Sequence, residues 1–271
     1  MSTLPWMPIL LRVLRVVAIV YVVAVIALWL FGNRLMFLPG PASYRGDLPG
    51  LVRIPADGGA LAAVWLPNPA ARLTLLYSHG NGEDLGDDLP LLRALHDHGF
   101  AVLAYDYRGY GLTPGRPTER GAYADESAAY AWLVREQKVP PGRIVVHGRS
   151  LGGGPAAELA SREPVAGLVL ESTFTNATSV SALGRFFPVD WFRTARRLQR
   201  VRCPVLVIHG TADRVIPYAV GQRLYRAARE PKQALWVEGA GHDDLIEVAG
   251  ARYWQALDRF AGSLADPGQT R

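Results

Sequence analysis

The sequence predicts an α/β fold in which an open, mostly parallel sheet is covered by helices on both faces. From residue 51 to residue 265, continuous apolar runs of strand length alternate with segments that have helical spacing. The chain has 271 residues, and 49% of them are hydrophobic. That is enough for one domain of this class with a large core, together with a short appendage.

Each element follows from a local pattern. A hairpin is expected over 51–66, because two apolar runs flank the turn sequence Asp57-Gly58-Gly59. Apolar runs without alternation are typical of parallel strands that are buried on both faces. Such strands are predicted at 73–80, 100–109, 143–148, 165–173, 203–213 and 233–242. Helices are predicted at 89–99, 121–137, 154–162, 219–229 and 250–265.

The N-terminal segment is more apolar than a surface helix needs to be. The stretch VVAIVYVVAVIALWLF (16–31) has no charge, and the apolar character reaches back to Ile9 with only Arg12 and Arg15 interrupting it. The uncharged part spans roughly 24 Å as a helix, and the arginines can extend to the interface. We therefore expect residues 1–34 to form an uncleaved membrane anchor with a short cytoplasmic tail, followed by a Pro- and Gly-rich linker over 35–50 and the main domain over 51–265.

Two alternatives to an anchor stay open, a cleaved signal peptide and a buried or interfacial helix. The bulky end of the apolar run lacks the small residues that a cleavage site requires. Arg12 and Arg15 precede the span, whereas Arg34 and Arg45 follow it. The positive-inside preference favours a cytoplasmic N-terminus. The domain is then expected on the non-cytoplasmic side, which in a bacterial cell is the periplasm.

Composition argues against several other classes of function. The net charge is +5, but Lys and Arg are dispersed without a basic run that contains aromatic residues. No nucleic-acid partner is therefore expected. Cys203 is the only cysteine, which excludes an intramolecular disulfide and CxxC motifs. The pair His96 and His98 lacks a third ligand of suitable spacing, so we expect no metal there.

A serine lies between two glycines where a predicted strand gives way to a helix. The sequence is GRSLG (148–152), preceded by IVVH and followed by an Ala-rich segment. A sharp strand-to-helix turn strains the backbone of its central residue and requires neighbours without a Cβ. Such a turn exposes the Ser150 hydroxyl and directs the Leu151 amide to where an oxyanion would form. Ser150 is thus a candidate nucleophile, although a tight turn alone would also explain the glycines.

A serine nucleophile needs a base, and the base needs an acid that orients it. Among six histidines, His242 alone lies in a glycine-flanked loop after the last strand, whereas the others are predicted to be structural or at the surface. Asp213 follows the strand VLVIHG, at the sheet edge where ligands bind in such folds. Its alternative role is that of a turn cap. The predicted triad therefore comprises Ser150, Asp213 and His242, in that chain order.

Two further segments bear on the site. The loop HGNGED after the first parallel strand is the natural source of a second oxyanion donor, and we select the Asn81 amide with Gly82 as the substitute. The interval 174–202 has no clear strand and is a candidate lid. Its aromatic residues could line an acyl-binding surface or pack into the core; they are Phe174, Phe186, Phe187, Trp191 and Phe192.

Five motifs in order resemble those of α/β-hydrolases over about residues 50–265: YSHGNGED, YDYRGYGLTPGRPTE, GRSLGG, PVLVIHGTADRVIP and GAGHDD. With its anchor and short lid, the chain resembles the single-pass serine hydrolases related to monoacylglycerol and lysophospholipid lipases and to protein depalmitoylases. The resemblance implies Ser150 as nucleophile, Asp213 as acid and His242 as base, with Asn81 and Leu151 as oxyanion amides.

The implied activity is hydrolysis of ester or thioester bonds of lipid-like acyl substrates, a reaction that needs no metal and no organic cofactor. An amidase or peptidase with the same triad, and a non-catalytic binding scaffold, are the alternatives. Arg149 departs from the family pattern, which commonly has a smaller or amide residue before the nucleophile. It could favour anionic head groups, or it could have a surface role.

Overall fold

The structure is a computed structural model that describes residues 6–180 and 190–264. Eight strands within those residues form one sheet: β1 (Leu51–Ala56), β2 (Gly59–Leu66), β3 (Thr74–Ser78), β4 (Ala101–Tyr105), β5 (Ile144–Arg149), β6 (Gly167–Glu171), β7 (Val205–Gly210) and β8 (Lys232–Val237). Their order across the sheet is β1-β2-β4-β3-β5-β6-β7-β8. The hairpin β1–β2 joins the sheet antiparallel at β4, and β3 to β8 pair in parallel.

The helices are α1 (Met7–Met36), α2 (Leu85–Asp97), α3 (Glu119–Arg135), α4 (Gly153–Ala160), α5 (Thr194–Leu198), α6 (Tyr218–Ala227), α7 (Leu245–Ala249) and α8 (Ala251–Ser263). Side chains of the parallel strands alternate between two hydrophobic clusters on opposite faces of the sheet. Leu76 and Val146 contribute to one cluster, and Leu75 and Val145 contribute to the other. Because both faces are covered, the parallel strands read as continuous apolar runs. The predicted α/β fold is confirmed.

The boundaries differ from prediction where side chains, rather than hydrophobic spacing, decide them. Helix α2 begins four residues before its predicted start because the Asp84 side chain accepts hydrogen bonds from the amides of Gly86 and Asp87. Helices α5 and α7 were not predicted. Each has only five residues, too few to show a period of 3.6.

The N-terminal helix α1 extends beyond the predicted apolar core at both ends. The part Met7–Arg34 has a mean hydropathy of 2.7 in its most apolar window, and none of that window is buried. By length and composition this part can cross a membrane. A signal sequence near an N-terminus has the same properties.

The segment proposed as a lid is described over 174–180 and 190–202. Phe174 and Phe192 are buried in the core there, and Trp191 is half-buried. Phe186 and Phe187 lie outside the described residues. Two of the five aromatic side chains thus have a core-packing role, and the assignment of a lid stays a prediction.

Candidate active site

Ser150 lies at the turn between β5 and α4, in the centre of the sheet. Its φ of +50° is in the left-handed region that non-glycine residues rarely occupy. A Cβ on Gly148 would collide with the backbone of Gly152, and one on Gly152 would collide with the carbonyl of Ser78 at the end of β3. The glycines thus permit a turn so tight that the serine backbone is strained. Leu151 follows within a short 3-10 turn and is buried.

His242 lies in the loop after β8 and reaches across the sheet edge to the serine. Its Nε2 is 3.0 Å from the Ser150 Oγ, and its Nδ1 is 2.8 Å from the Asp213 Oδ2. One ring therefore contacts both a hydroxyl and a carboxylate through its opposite nitrogens. In this arrangement Nδ1 donates to the carboxylate and Nε2 accepts the hydroxyl proton. The structure brings together the three side chains that the sequence predicted as a triad.

The loop after β7 fixes the carboxylate of Asp213 from its other side. Its Oδ1 accepts hydrogen bonds from the amides of Val215 and Ile216, at 2.9 and 2.7 Å. Burial alone would raise the pKa of Asp213, but the His242 hydrogen bond and the Ile216 amide outweigh it, and the pKa is below its usual value. The carboxylate stays ionised and holds the ring. The turn-cap role and the contact with His242 are therefore both present.

The loop after β3 passes directly above the serine. Gly80 is so close that a Cβ there would be 3.5 Å from the Ser150 Cβ. The amide of Gly80 donates to Glu83 at 2.9 Å, so it is not free for a substrate. Within the described part of the chain, the backbone N–H of Asn81 has no acceptor, whereas its side-chain Nδ2 donates to the carbonyl of Met36. This favours the selection of Asn81, while Gly82, at a φ of +89°, gives the loop its turn.

The remaining histidines of the strand ends have partners of their own. His79 is fully buried, and desolvation lowers its pKa to about 4, so it is neutral at pH 7. His147 contacts Glu171 at 3.0 Å, and the same carboxylate accepts from the Tyr253 hydroxyl at 2.8 Å. His209 contacts the carbonyl of Ile216 at 2.9 Å. These contacts agree with the structural role predicted for the three histidines.

Arg149 is the residue that sequence reasoning could not assign. Its side chain is 11% exposed and contacts three carboxylates: Glu83, Glu171 at 3.7 Å and Asp243 at 3.2 Å. Glu83 is in the loop above Ser150, and Asp243 is next to His242 in sequence. The guanidinium therefore links two loops of the site. Since carboxylates already surround its charge, neither of the roles considered from the sequence, binding of anionic head groups or a simple surface role, fits this environment.

Comparison with known proteins decides the family. A family model described as alpha/beta hydrolase fold matches residues 74–202, and one described as serine aminopeptidase, S33, matches residues 190–249. Human alpha/beta hydrolase domain-containing protein 17B is 36% identical over 209 residues, which are 76% of this chain and 72% of that protein. The chain belongs to the alpha/beta hydrolase family.

Two further relatives define how far the likeness extends. The Caenorhabditis elegans alpha/beta hydrolase domain-containing protein aho-3 is 42% identical over 197 residues, and the match spans 59% of that protein. Among solved structures, the Pyrococcus furiosus esterase Pf2001 superposes with a TM-score of 0.70 over 84% of this chain and 98% of that one. At 20% identity, this similarity shows a shared fold. A shared fold does not define the reaction, which depends on the residues of the site.

Proposed function

We propose that the chain is a serine hydrolase that cleaves ester or thioester bonds of lipid-like acyl groups. The observation that carries the proposal is the position of His242, within 3.0 Å of the Ser150 hydroxyl and 2.8 Å of the Asp213 carboxylate. A base within hydrogen-bond reach of the nucleophile, oriented by a third group, is the arrangement that activates a hydroxyl. Esterases among the solved structures of the same fold support the reaction class.

The proposed reaction has two steps. Ser150 Oγ attacks the acyl carbonyl carbon while His242 Nε2 takes the hydroxyl proton. The amides of Asn81 and Leu151 stabilise the oxyanion, and His242 returns the proton to the leaving alcohol or thiol as its bond to the acyl carbon breaks. Water then attacks the acyl-enzyme while His242 Nε2 takes its proton. His242 returns that proton to Ser150 Oγ as the bond between Oγ and the acyl carbon breaks, and the carboxylic acid is released. Asp213 stabilises the imidazolium, and the steps need no cofactor.

The proposed substrate class follows from where the site lies. Helix α1 can cross a membrane and ends at Met36, and Leu38 is already hydrogen-bonded to Asn81 in the loop above Ser150. Two residues span at most about 7 Å. With α1 as an uncleaved anchor (residues 1–34), the site would face the membrane surface, where acyl chains are presented. Residues 174–202 remain the proposed lid, and the domain is proposed to lie on the non-cytoplasmic side.

A second candidate function is hydrolysis of amide bonds with the same triad. It is favoured by the match of residues 190–249, which include Asp213 and His242, to the serine aminopeptidase family. The triad chemistry is the same for both bonds, so only the substrate distinguishes them.

Hydrolysis of p-nitrophenyl esters from two to sixteen carbons, beside aminoacyl p-nitroanilides, tests the proposal with the full chain in detergent micelles. We expect ester hydrolysis with kcat/KM rising toward long chains, and none with Ser150→Ala. A preference for the anilides would establish the amidase. Hydrolysis of short esters only would remove the lipid-like substrate, and no activity on any substrate would favour a non-catalytic scaffold.

A further inference from the structure

The last turn of α1 and the residues after it are packed into the hydrolase domain. Phe37 is 3% exposed, and its ring lies 6.4 Å from Tyr110 and 5.9 Å from Phe192, centroid to centroid. The Asn33 side chain accepts from the amide of Glu119 at 3.3 Å, at the start of α3. The chain therefore enters the domain at a fixed place, immediately after the apolar helix ends.

The Asn81 carboxamide joins this segment to the loop above the serine. Its Nδ2 donates to the carbonyl of Met36 at 2.8 Å, and its Oδ1 accepts from the amide of Leu38 at 2.9 Å. The Tyr110 hydroxyl donates to the same Oδ1 at 2.6 Å and accepts from the Leu38 amide at 3.1 Å. Both polar atoms of the carboxamide are thus occupied by a segment more than forty residues earlier in the chain.

We propose that residues 36–38 position the oxyanion loop, so that the end of the apolar helix is a working part of the site. This inference rests on the proposed function, in which the Asn81 amide stabilises the oxyanion. The loop contains Gly80 and Gly82, which by themselves leave the backbone free to adopt several conformations. An oxyanion donor is effective only when its orientation is fixed before the reaction. The carboxamide contacts with residues 36–38 fix the peptide of the same residue.

The contact is made by backbone atoms of the segment, which allows a selective test. The side chain of Leu38 is 61% exposed, whereas its amide donates to both Asn81 and Tyr110. Leu38→Pro removes that amide hydrogen, whereas Leu38→Ala keeps it and changes only the side chain. Phe37 has φ −100° and ψ 127°, an extended conformation that a following proline favours.

We would measure kcat and KM of the full chain in detergent with p-nitrophenyl butyrate, a soluble ester that requires no membrane surface. Leu38→Pro and Asn81→Ala are expected to lower kcat about 10- to 100-fold with KM within about 2-fold, because they disturb a transition-state contact. Leu38→Ala and Asn68→Ala are expected to keep kcat. Asn68 is a half-buried asparagine whose side chain accepts a hydrogen bond from Ala70 in its own turn. Unfolding midpoints of all four variants are measured beside the kinetics.

Normal kcat in both Leu38→Pro and Asn81→Ala would overturn the inference. A fall in kcat that Leu38→Ala shares equally would also overturn it, since the side chain would then be responsible. If Leu38→Pro unfolds, the kcat of Tyr110→Phe tests the inference, because the Tyr110 hydroxyl donates to the Asn81 Oδ1. Tyr130→Phe is its control, because the Tyr130 hydroxyl donates to the carbonyl of Pro164. Fluorophosphonate labelling of Ser150 separates the two levels: loss of labelling in Ser150→Ala with unchanged kcat in the loop variants leaves the proposed function intact and rejects only this inference.

Discussion

Arg149 brings a buried positive charge to the residue before the proposed nucleophile. Desolvation by itself would lower the pKa of Arg149, but Tyr77, Glu171 and Asp243 raise it above its ordinary value. Burial of Glu171 is likewise outweighed by the His147 hydrogen bond and the Arg149 charge, and its pKa is lowered. Both groups are therefore charged at neutral pH. Removing one partner leaves the other as an uncompensated buried charge.

We expect Arg149→Met to lower the free energy of unfolding by about 3 kcal/mol, as breaking a buried ion pair does. Arg149→Lys restores the charge without the planar fork and should recover part of the loss. Arg162→Met is the matched control, because Arg162 is 63% exposed in its pair with Glu158, and such pairs contribute less than about 1 kcal/mol. Urea unfolding of the three variants measures this, and equal losses at both positions would contradict the role given to Arg149.

The sequence predicted that Ser150, Asp213 and His242 lie together, as they do, but not the partners of Arg149, for a physical reason. Each residue of the proposed triad has its own local pattern: glycine neighbours, a strand end or a glycine-flanked loop. Glu83 and Asp243 come from two separate loops and Glu171 ends strand β6, and only the folded chain brings them to one guanidinium. Tyr110 was missed for the same reason, since its role depends on the return of Leu38 to the sheet edge.

The strand–turn–helix element around Ser150 depends on Gly152. A Cβ at this position would lie against the carbonyls of Ser78 and His79, which belong to the adjacent strand end and cannot move aside as a flexible side chain could. We expect Gly152→Ala to lower the free energy of unfolding by about 2 kcal/mol, the usual cost of overpacking.

Gly262, in α8, provides the control for that substitution. A Cβ there meets nothing within 4 Å among the described residues, so Gly262→Ala should stabilise the helix by about 0.5 kcal/mol. Denaturant midpoints of both variants test the pair. Similar effects of the two substitutions would show that the turn tolerates a side chain and is looser than the geometry implies.

Helix α3 carries a buried acid, Glu126, that makes stability depend on pH. Burial raises its pKa to about 8, well above the ordinary value of 4.5 for a glutamate. Between those values the folded chain binds the proton that the unfolded chain releases, so stability falls as pH rises from about 5 to 8. Glu126→Gln should reduce this fall, whereas Glu163→Gln, at an exposed position, should not. Unfolding midpoints of the wild type and both variants at pH 5 and pH 8 test this. If both variants lose as much stability between the two pH values as the wild type, the assignment to Glu126 is wrong.

At the scale of the whole molecule, the alternation of apolar runs and helical segments was sufficient to predict the sheet. Every predicted strand is present, because buried parallel strands require apolar residues at consecutive positions. The predicted strands extend past most of the observed strand ends. The polar residues at those ends belong to the loops of the site and do not take part in the strand pairing. The hydrogen bonds of residues 36–38 with Asn81 had no such pattern, because they use backbone atoms that any sequence would supply.

The relation between α1 and the membrane is tested with the intact chain in cells. We expect the protein to remain with membranes after alkaline extraction and its intact mass to include residues 1–34. A cleaved signal sequence would give a shorter, extractable protein. For the side of the membrane, Asp258→Cys introduces an exposed thiol on the domain, where Asp258 is 60% exposed.

The reagent is a maleimide that passes an outer membrane but not the inner membrane of intact cells. It should label Asp258→Cys in those cells. The wild-type chain is the control, because burial raises the pKa of the Cys203 thiol to about 12 and makes it a poor nucleophile. Labelling only after lysis would place the domain in the cytoplasm and contradict the proposed topology.

The most direct test of the proposed chemistry is to locate the adduct of a fluorophosphonate by peptide mass spectrometry. Because His242 lies 3.0 Å from the Ser150 hydroxyl, we expect one modified residue, Ser150, and loss of the adduct in Ser150→Ala and in His242→Ala. A control at Ser161, a serine at the far end of α4, should leave labelling unchanged when replaced by alanine. An adduct on any other residue, or one that persists in Ser150→Ala, would contradict the assignment of the nucleophile.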